Sequence, residues 1–288
     1  MSFFRRLFGQ EAEPEVPDVV IPTDELIDHG PTLVVGGATH IGQVRKRNED
    51  AYFVLEATLA RDGESFPFGF FLVADGMGGH KGGQLASSLT SRVVVETVLR
   101  EFYLPWLGSD TENTRPQRPI NEVIIEAANE ANLVVHRSAP PEAGTTLTCV
   151  LIQGTNAYIA HVGDSRAYLI RQGRLEQITK DHSLLARLIE LGQISPEEAA
   201  SHPQRNVLYK AIGQGSTLDV DFYLKSLPAN SFLLICSDGL WGAVSGDRMA
   251  AIVKEASSPQ DACHQLVREA NAQGGEDNIT VVLAQIKG

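Results

Sequence analysis

The chain has 288 residues, 43% hydrophobic and 21% charged, with 36 acidic against 24 basic side chains and a formal net charge of −12. That acidity argues against a general nucleic-acid binder, which needs Lys and Arg to displace counterions from phosphates. No apolar run reaches the roughly 18 residues of a membrane-crossing helix, and Cys149, Cys236 and Cys263 are too scattered for a disulfide framework or a zinc motif, which suits a reducing cytoplasm.

Residues 1–31 read as an acidic N-terminal tail. The opening MSFFRRLFGQ lacks the apolar stretch and cleavage site of a secretory signal. Phe3, Phe4, Leu7 and Phe8 share one face of a short helix beside Arg5 and Arg6, which makes either a docking or membrane-surface helix or a frayed terminus. Behind them stand Glu11, Glu13, Glu15, Asp18, Asp24, Glu25 and Asp28, interrupted by Pro14, Pro17 and Pro22, the composition of an extended, solvated linker.

From Thr32 to residue 288 the pattern is that of one folded unit. Strands are expected at Leu33–Val35, Ala51–Leu55 and Phe68–Ala74, then a helix over 82–104 with Leu85, Leu89, Val93, Leu99 and Phe102 near helical spacing. A polar loop precedes a second helix, Ile120–Arg137, with Val123, Ala127, Ala131, Val134 and Val135 inward. Strands at Thr146–Gln153, Ala157–His161 and Ala167–Arg171 follow, then a more polar helical stretch over 182–200. Strands near Val220–Leu224 and Phe232–Cys236, helices over 246–256 and 259–272, and a last strand Ile279–Ile286 complete the chain. Hairpin-like strand runs with helices bunched in pairs favour an antiparallel α+β architecture over alternating βα units.

Four aspartates share one setting, an apolar strand end beside glycine: Asp75 in FFLVADGMGG, Asp164 in AYIAHVGDSRAYLI, Asp238 in FLLICSDGLWG and Asp277 in GGEDNITVVL. Each alone is explained by turn chemistry, because Asp-Gly and Gly-Asp pairs favour turns. As a set they are informative: the strand ends of one sheet can gather on one rim, and a rim of carboxylates repels itself unless a cation neutralises it. Oxygen-only ligands favour Mg²⁺ or Mn²⁺ over zinc, and neighbouring glycines let backbone carbonyls come close. Two such ions suit phosphoester hydrolysis. In GQVRKRNEDAYF, Arg45, Lys46 and Arg47 precede Glu49 and Asp50, and an arginine fork there can anchor a phosphate.

The ordered series VRKRNEDAY, LVADGMGGHKGG, GTTLT, HVGDSRAYL, ITKDHS, LLICSDGLWG and GGEDNITVV resembles the bacterial type 2C metal-dependent protein serine/threonine phosphatases, from about residue 35 to the C-terminus. The resemblance implies a sandwich of two antiparallel sheets flanked by helix pairs, in a catalytic domain over 32–288 with a flap at about 181–213. It implies a site for two Mn²⁺ or Mg²⁺ ions, with a third, weaker one. Asp75 would bridge the two ions, with the Gly76 carbonyl on the second; Asp238 and Asp277 would hold the first; Glu49 and Asp50 would hold the second, partly through water. Asp164 would hold the third ion, shared with Asp238, and Asn278 would orient the closing turn. A water bridging the ions would attack in line, with Arg45 on the phosphate. Met77 stands where some members carry a histidine acid, and His80 lies three residues further on, so the acid stays unassigned.

The implied partners are Ser/Thr-phosphorylated proteins opposite a serine/threonine kinase, acted on by a cytoplasmic monomer in signalling. Two rivals remain: a catalytically silent binding module, and a serine hydrolase at Ser165, whose GDSRA is one residue from a nucleophile elbow but leads into a strand rather than a helix.

Overall fold

Side-chain alternation along the strands decides the layering. Strand β3 (Glu64–Met77) sends Phe70, Leu72 and Ala74 to one face and Phe71 and Val73 to the other. Both faces of such a strand are buried, which is why its sequence reads as a continuous apolar run. The computed structural model describes residues 32–61, 64–78, 81–108, 118–195, 198–199, 202–204 and 206–287. The acidic tail with its Phe3, Phe4, Leu7 and Phe8 face, and His80, lie outside the described residues.

The other strands are β1 (Thr32–His40), β2 (Asp50–Arg61), β4 (Gly144–Thr145), β5 (Leu147–Gln153), β6 (Asn156–Val162), β7 (Arg166–Arg171), β8 (Arg174–Gln177), β9 (Asp221–Ser226), β10 (Ser231–Cys236) and β11 (Ile279–Lys287). One sheet has the order β1-β11-β10-β7-β8, the other β2-β3-β5-β6-β9 with β4 on the end of β3. Every named pairing is antiparallel. Helices α1 (Gly82–Val98), α2 (Leu104–Leu107) and α3 (Ile120–Ser138) come between β3 and β4, and α4 (Leu184–Glu190) follows β8. Helix α5 (Asp238–Trp241) opens directly after β10, and α6 (Gly246–Glu255) and α7 (Pro259–Ala272) precede β11.

Three apolar layers hold this together. Phe71, Val73, Val150, Leu233, Ile235 and Val282 pack between the sheets. Phe70, Leu72 and Leu151 meet Val94, Ile124 and Ala127 of α1 and α3, while Leu234, Val281 and Leu283 meet Ile252, Ala262 and Leu266 of α6 and α7. The result is the helix–sheet–sheet–helix sandwich.

Local departures from the expected elements have physical causes. The helix expected over 82–104 breaks into α1, a wider π turn at Leu99–Tyr103, and α2. Pro105 has no amide to donate back along the helix, and the wide turn accommodates that loss. The buried stripe of α1 is Ala86, Ser87, Thr90, Val94, Thr97 and Val98, with Leu85 40% exposed and Leu89 and Val93 at its margin. Small residues let α1 lie close on β3, and this rotates the buried face away from the larger side chains. Among the described residues the helix expected over 182–200 runs from Leu184 to Glu190, where Ser183 caps its start and Gly192, in the left-handed region (φ 67°), stands just past its end, and residues 198–199 are helical again.

Candidate metal centre

The acidic rim is assembled by both sheets rather than by one. Asp75 is near the end of β3 and Asp164 follows β6, both in one sheet; Asp238 follows β10 and Asp277 precedes β11, both in the other. The expectation of a single-sheet rim is corrected here: strands of opposite sheets end together where the sandwich is open. Asp50 belongs to the same rim, because the β2–β3 register sets it directly opposite Asp75. Like charges paired this way are destabilising by themselves.

Glycines let the walls close in. A Cβ on Gly76 would collide with the Gly83 carbonyl, and one on Gly83 with a Glu49 carboxylate oxygen. The Gly76 amide donates to the Glu49 carbonyl at 3.2 Å, and the Ser87 hydroxyl of α1 donates to the same carbonyl at 2.6 Å. Gly163, at φ 104°, has no room for a side chain against Thr146, so the Asp164 turn requires glycine there. The Asp164 carbonyl accepts from the Trp241 indole at 3.0 Å, and the Arg166 guanidinium lies 3.5 Å over the Trp241 ring while bonding Asp181.

The electrostatics are those of an unneutralised cluster. Burial, reinforced by Asp50, Asp238, Asp164 and Asp277, holds the Asp75 carboxyl well above its ordinary range. Burial also raises Asp50, Asp164 and Asp238, each with Asp238 or Asp277 as a repelling neighbour. The Oδ1 atoms of Asp50 and Asp238 are sealed from solvent without any hydrogen-bond partner. Arg45 sits at the rim, its side chain 52% exposed, and bonds Asp277 Oδ2 at 2.6 Å. Asn278 donates its backbone amide to Asp277 Oδ1 and reaches back to the Arg45–Asp50 loop.

Among the described residues no three His, Cys, Asp or Glu side chains form a ready-made metal cage; Asp50, Asp164, Asp238 and Asp277 are neighbours of Asp75 instead. Two orphaned, buried carboxylate oxygens in an oxygen-only donor set fit hard divalent cations, and the mutual repulsion of the aspartates fits more than one positive charge.

Ser165 has a different setting. It is fully buried, its Oγ lies 2.7 Å from Thr146 Oγ1, and the chain runs from it into β7, so there is no strand-to-helix elbow. Sequence reasoning missed Ser237, whose Oγ donates to Asp50 Oδ2 at 2.9 Å, and the helix α5 that starts at Asp238. An apolar strand followed by Ser-Asp-Gly is a helix-start signal that could have revealed the helix.

Beside the rim a cleft of about 1340 Å³ runs from Asp238 and Asp277 past Trp241 to Tyr209 and the underside of α4. The segment around α4 is tied at its root, where the Leu184 amide bonds the Val207 carbonyl and the Tyr209 amide the His182 carbonyl.

A double antiparallel sandwich with paired outer helices, a buried carboxylate rim whose oxygens fit divalent cations and an arginine at its edge points to the class of metal-dependent phosphohydrolases. The comparisons make this specific. The Protein phosphatase 2C family model matches residues 34–187 and 223–279, and the chain belongs to that family. It is 34% identical over 254 residues to the serine/threonine phosphatase stp of Listeria welshimeri, covering 86% of this chain and 93% of that protein. The Mycobacterium tuberculosis serine/threonine phosphatase PstP/Ppp superposes with a TM-score of 0.72 at 31% identity, over 89% of this chain and 99% of that one. A PstP catalytic domain in complex with two manganese ions superposes at 0.71 with 28% identity, over 90% and 100% of the two chains.

Proposed function

We propose that this chain hydrolyses phosphoserine and phosphothreonine esters on proteins as a metal-dependent phosphatase. The observation that carries this reading is the crowding of Asp50, Asp164, Asp238 and Asp277 around Asp75 at one rim, with two sealed, unpartnered carboxylate oxygens and Arg45 beside them. When bound, two divalent ions supply Lewis-acid charge for the phosphoryl group and a water made nucleophilic at neutral pH.

The protein's own residues then have separate tasks. Asp75, with the Gly76 carbonyl, stands between the two halves of the rim; Asp238 and Asp277 would hold one ion, and Glu49 and Asp50 the other. Asp164 offers a third, weaker site shared with Asp238. Arg45 reaches from solvent toward Asp277 and is the fork that orients the phosphate. The segment over 181–213 is the flap of the 32–288 catalytic domain, and the cleft beneath α4 gives the substrate protein a surface to be selected on.

Manganese is the metal we favour over magnesium, a choice supported by the two manganese ions of the PstP neighbour. The setting we favour is the cytoplasm, with the chain acting as a monomer against a serine/threonine kinase in signalling. Three free, buried cysteines support a reducing compartment, and no helix among the described residues is long and apolar enough to cross a membrane. The test is hydrolysis of a phosphothreonine peptide with and without Mn²⁺. Activity that needs Mn²⁺ and is lost in EDTA supports the reading; metal-independent turnover sinks it.

A further inference from the structure

The loop that carries Arg45, Glu49 and Asp50 has almost no regular backbone of its own. Residues 41–49 lie outside any strand, and residues 43–47 are exposed. An arginine that orients a phosphate needs a fixed base, because small misplacements of a catalytic group are costly. The loop crosses from β1 of the five-stranded sheet to β2 of the six-stranded sheet, and the groups that fix it stand at the ends of β11 and β10.

Asn278 is 4% exposed and spends its whole side chain on this loop. Its Oδ1 accepts the Glu49 amide at 2.7 Å, and its Nδ2 donates to the carbonyls of Ile41 and Arg47, each at 2.9 Å. Both ends of the loop thus converge on one primary amide, next in the chain to Asp277. An aspartate of the same shape would lose both donors and set a charge against two carbonyls. Ser237 does the same one residue before Asp238. It is fully buried, accepts the Thr280 amide at 2.9 Å and donates to Asp50 Oδ2 at 2.9 Å.

We infer that Asn278 and Ser237 are positioning residues: each stands beside a rim aspartate of the five-stranded sheet and fixes against it the segment that crosses from β1 to the start of β2. Asn278 sets where Arg45 and Glu49 stand relative to Asp277, and Ser237 sets Asp50 relative to Asp238. Neither touches the phosphate. The inference deepens the phosphatase reading and rests on it.

The test uses the full chain carrying Asn278→Asp or Ser237→Ala, with phosphopeptide kinetics, calorimetric Mn²⁺ titration and thermal melting. Asn278→Asp is expected to raise KM for the peptide and to weaken Mn²⁺ binding, each by about 10–100-fold, the range for groups that orient metal ligands. Ser237→Ala is expected to weaken Mn²⁺ binding by about 10-fold with KM little changed, because it holds Asp50 and not Arg45. Variants that melt lower yet bind Mn²⁺ and peptide like the wild type would show a merely structural role and overturn the inference. If Asn278→Asp does not fold, Ser237→Ala decides alone: unchanged Mn²⁺ affinity overturns it, weakened affinity supports it. A wild type without Mn²⁺-dependent turnover refutes the phosphatase reading, while the calorimetric titration still judges the positioning role separately.

Discussion

Two buried polar regions lie side by side at the open end of the sandwich, and they are finished in opposite ways. In the first, Thr146 Oγ1 accepts the Asp75 amide and touches Ser165, Thr148 bonds His161, His161 reaches the Lys180 carbonyl, and His182 accepts the Gly163 amide. In the second, the acidic rim, Asp50 Oδ1 and Asp238 Oδ1 have no partner; only Thr90 Oγ1 joins them among buried side-chain atoms of the described residues. A neutral network with its bonds made specifies a fold. A cluster of buried, repelling carboxylates does the reverse unless something charged completes it. The first region is therefore finished by the chain alone, and the second is built to be finished by a ligand.

The sharpest way to separate the regions is to remove one rim charge. Asp238→Asn is expected to lower kcat by more than about 10²-fold, exceeding the usual effect of groups that only orient ligands, while leaving the metal-free protein no less stable because it relieves repulsion. Steady-state kinetics and melting in EDTA check both halves; a large loss of metal-free stability would contradict the comparison. Next in size is the effect of the metal itself. Mn²⁺ at about a hundred times its dissociation constant should add about 2.7 kcal/mol of stability, read as a rise in Tm that EDTA reverses. An unchanged Tm would mean that the rim carboxylates are not completed by a cation. The converse experiment is Thr148→Val in the neutral network. It strands His161 Nδ1 and the Ser165 carbonyl and should cost about 1–3 kcal/mol, with the Mn²⁺ requirement and kcat kept near wild type.

The same contrast explains what could be read ahead of the structure. Strands such as β3, β10 and β11 are legible because burial on both faces leaves uninterrupted apolar runs. The four aspartates are legible because each stands at the end of such a run with a glycine one or two residues away. That the rim is shared between sheets was not legible, since it depends on β1, β10 and β11 pairing across nearly the whole chain. Nor was the α1 face, where Gly83, Ser87 and Thr90 are chosen for close approach rather than for hydrophobicity. Ser237 was missed because Ser-Asp-Gly reads locally as a turn, and its bond to Asp50 joins residues 187 positions apart.

The most discriminating test is the dependence of stability on pH. Burial, aided by His182, pushes His161 down to about 3. The Lys180 carbonyl can only accept, so in the neutral ring Nε2 carries the proton, and Nδ1 shares the single Thr148 hydroxyl proton with the Ser165 carbonyl. A histidine with a depressed folded pKa gives up stability as pH falls below its unfolded value near 6.5, by about 1.4 kcal/mol at pH 5.5. The rim acts with the opposite sign. Burial raises Asp50 to about 7 and Asp164 to about 8, so without metal their folded forms bind more protons than the unfolded chain does. Metal-free stability from this source is highest in acid and is lost as pH rises from about 4 through 7–8. Bound Mn²⁺ removes the rim contribution and leaves the histidine one. Chemical denaturation from pH 5 to 8 should therefore show stability rising with pH when Mn²⁺ is present, and a flatter or falling profile in EDTA. Parallel profiles would mean that the two regions titrate alike and would undo the distinction between them.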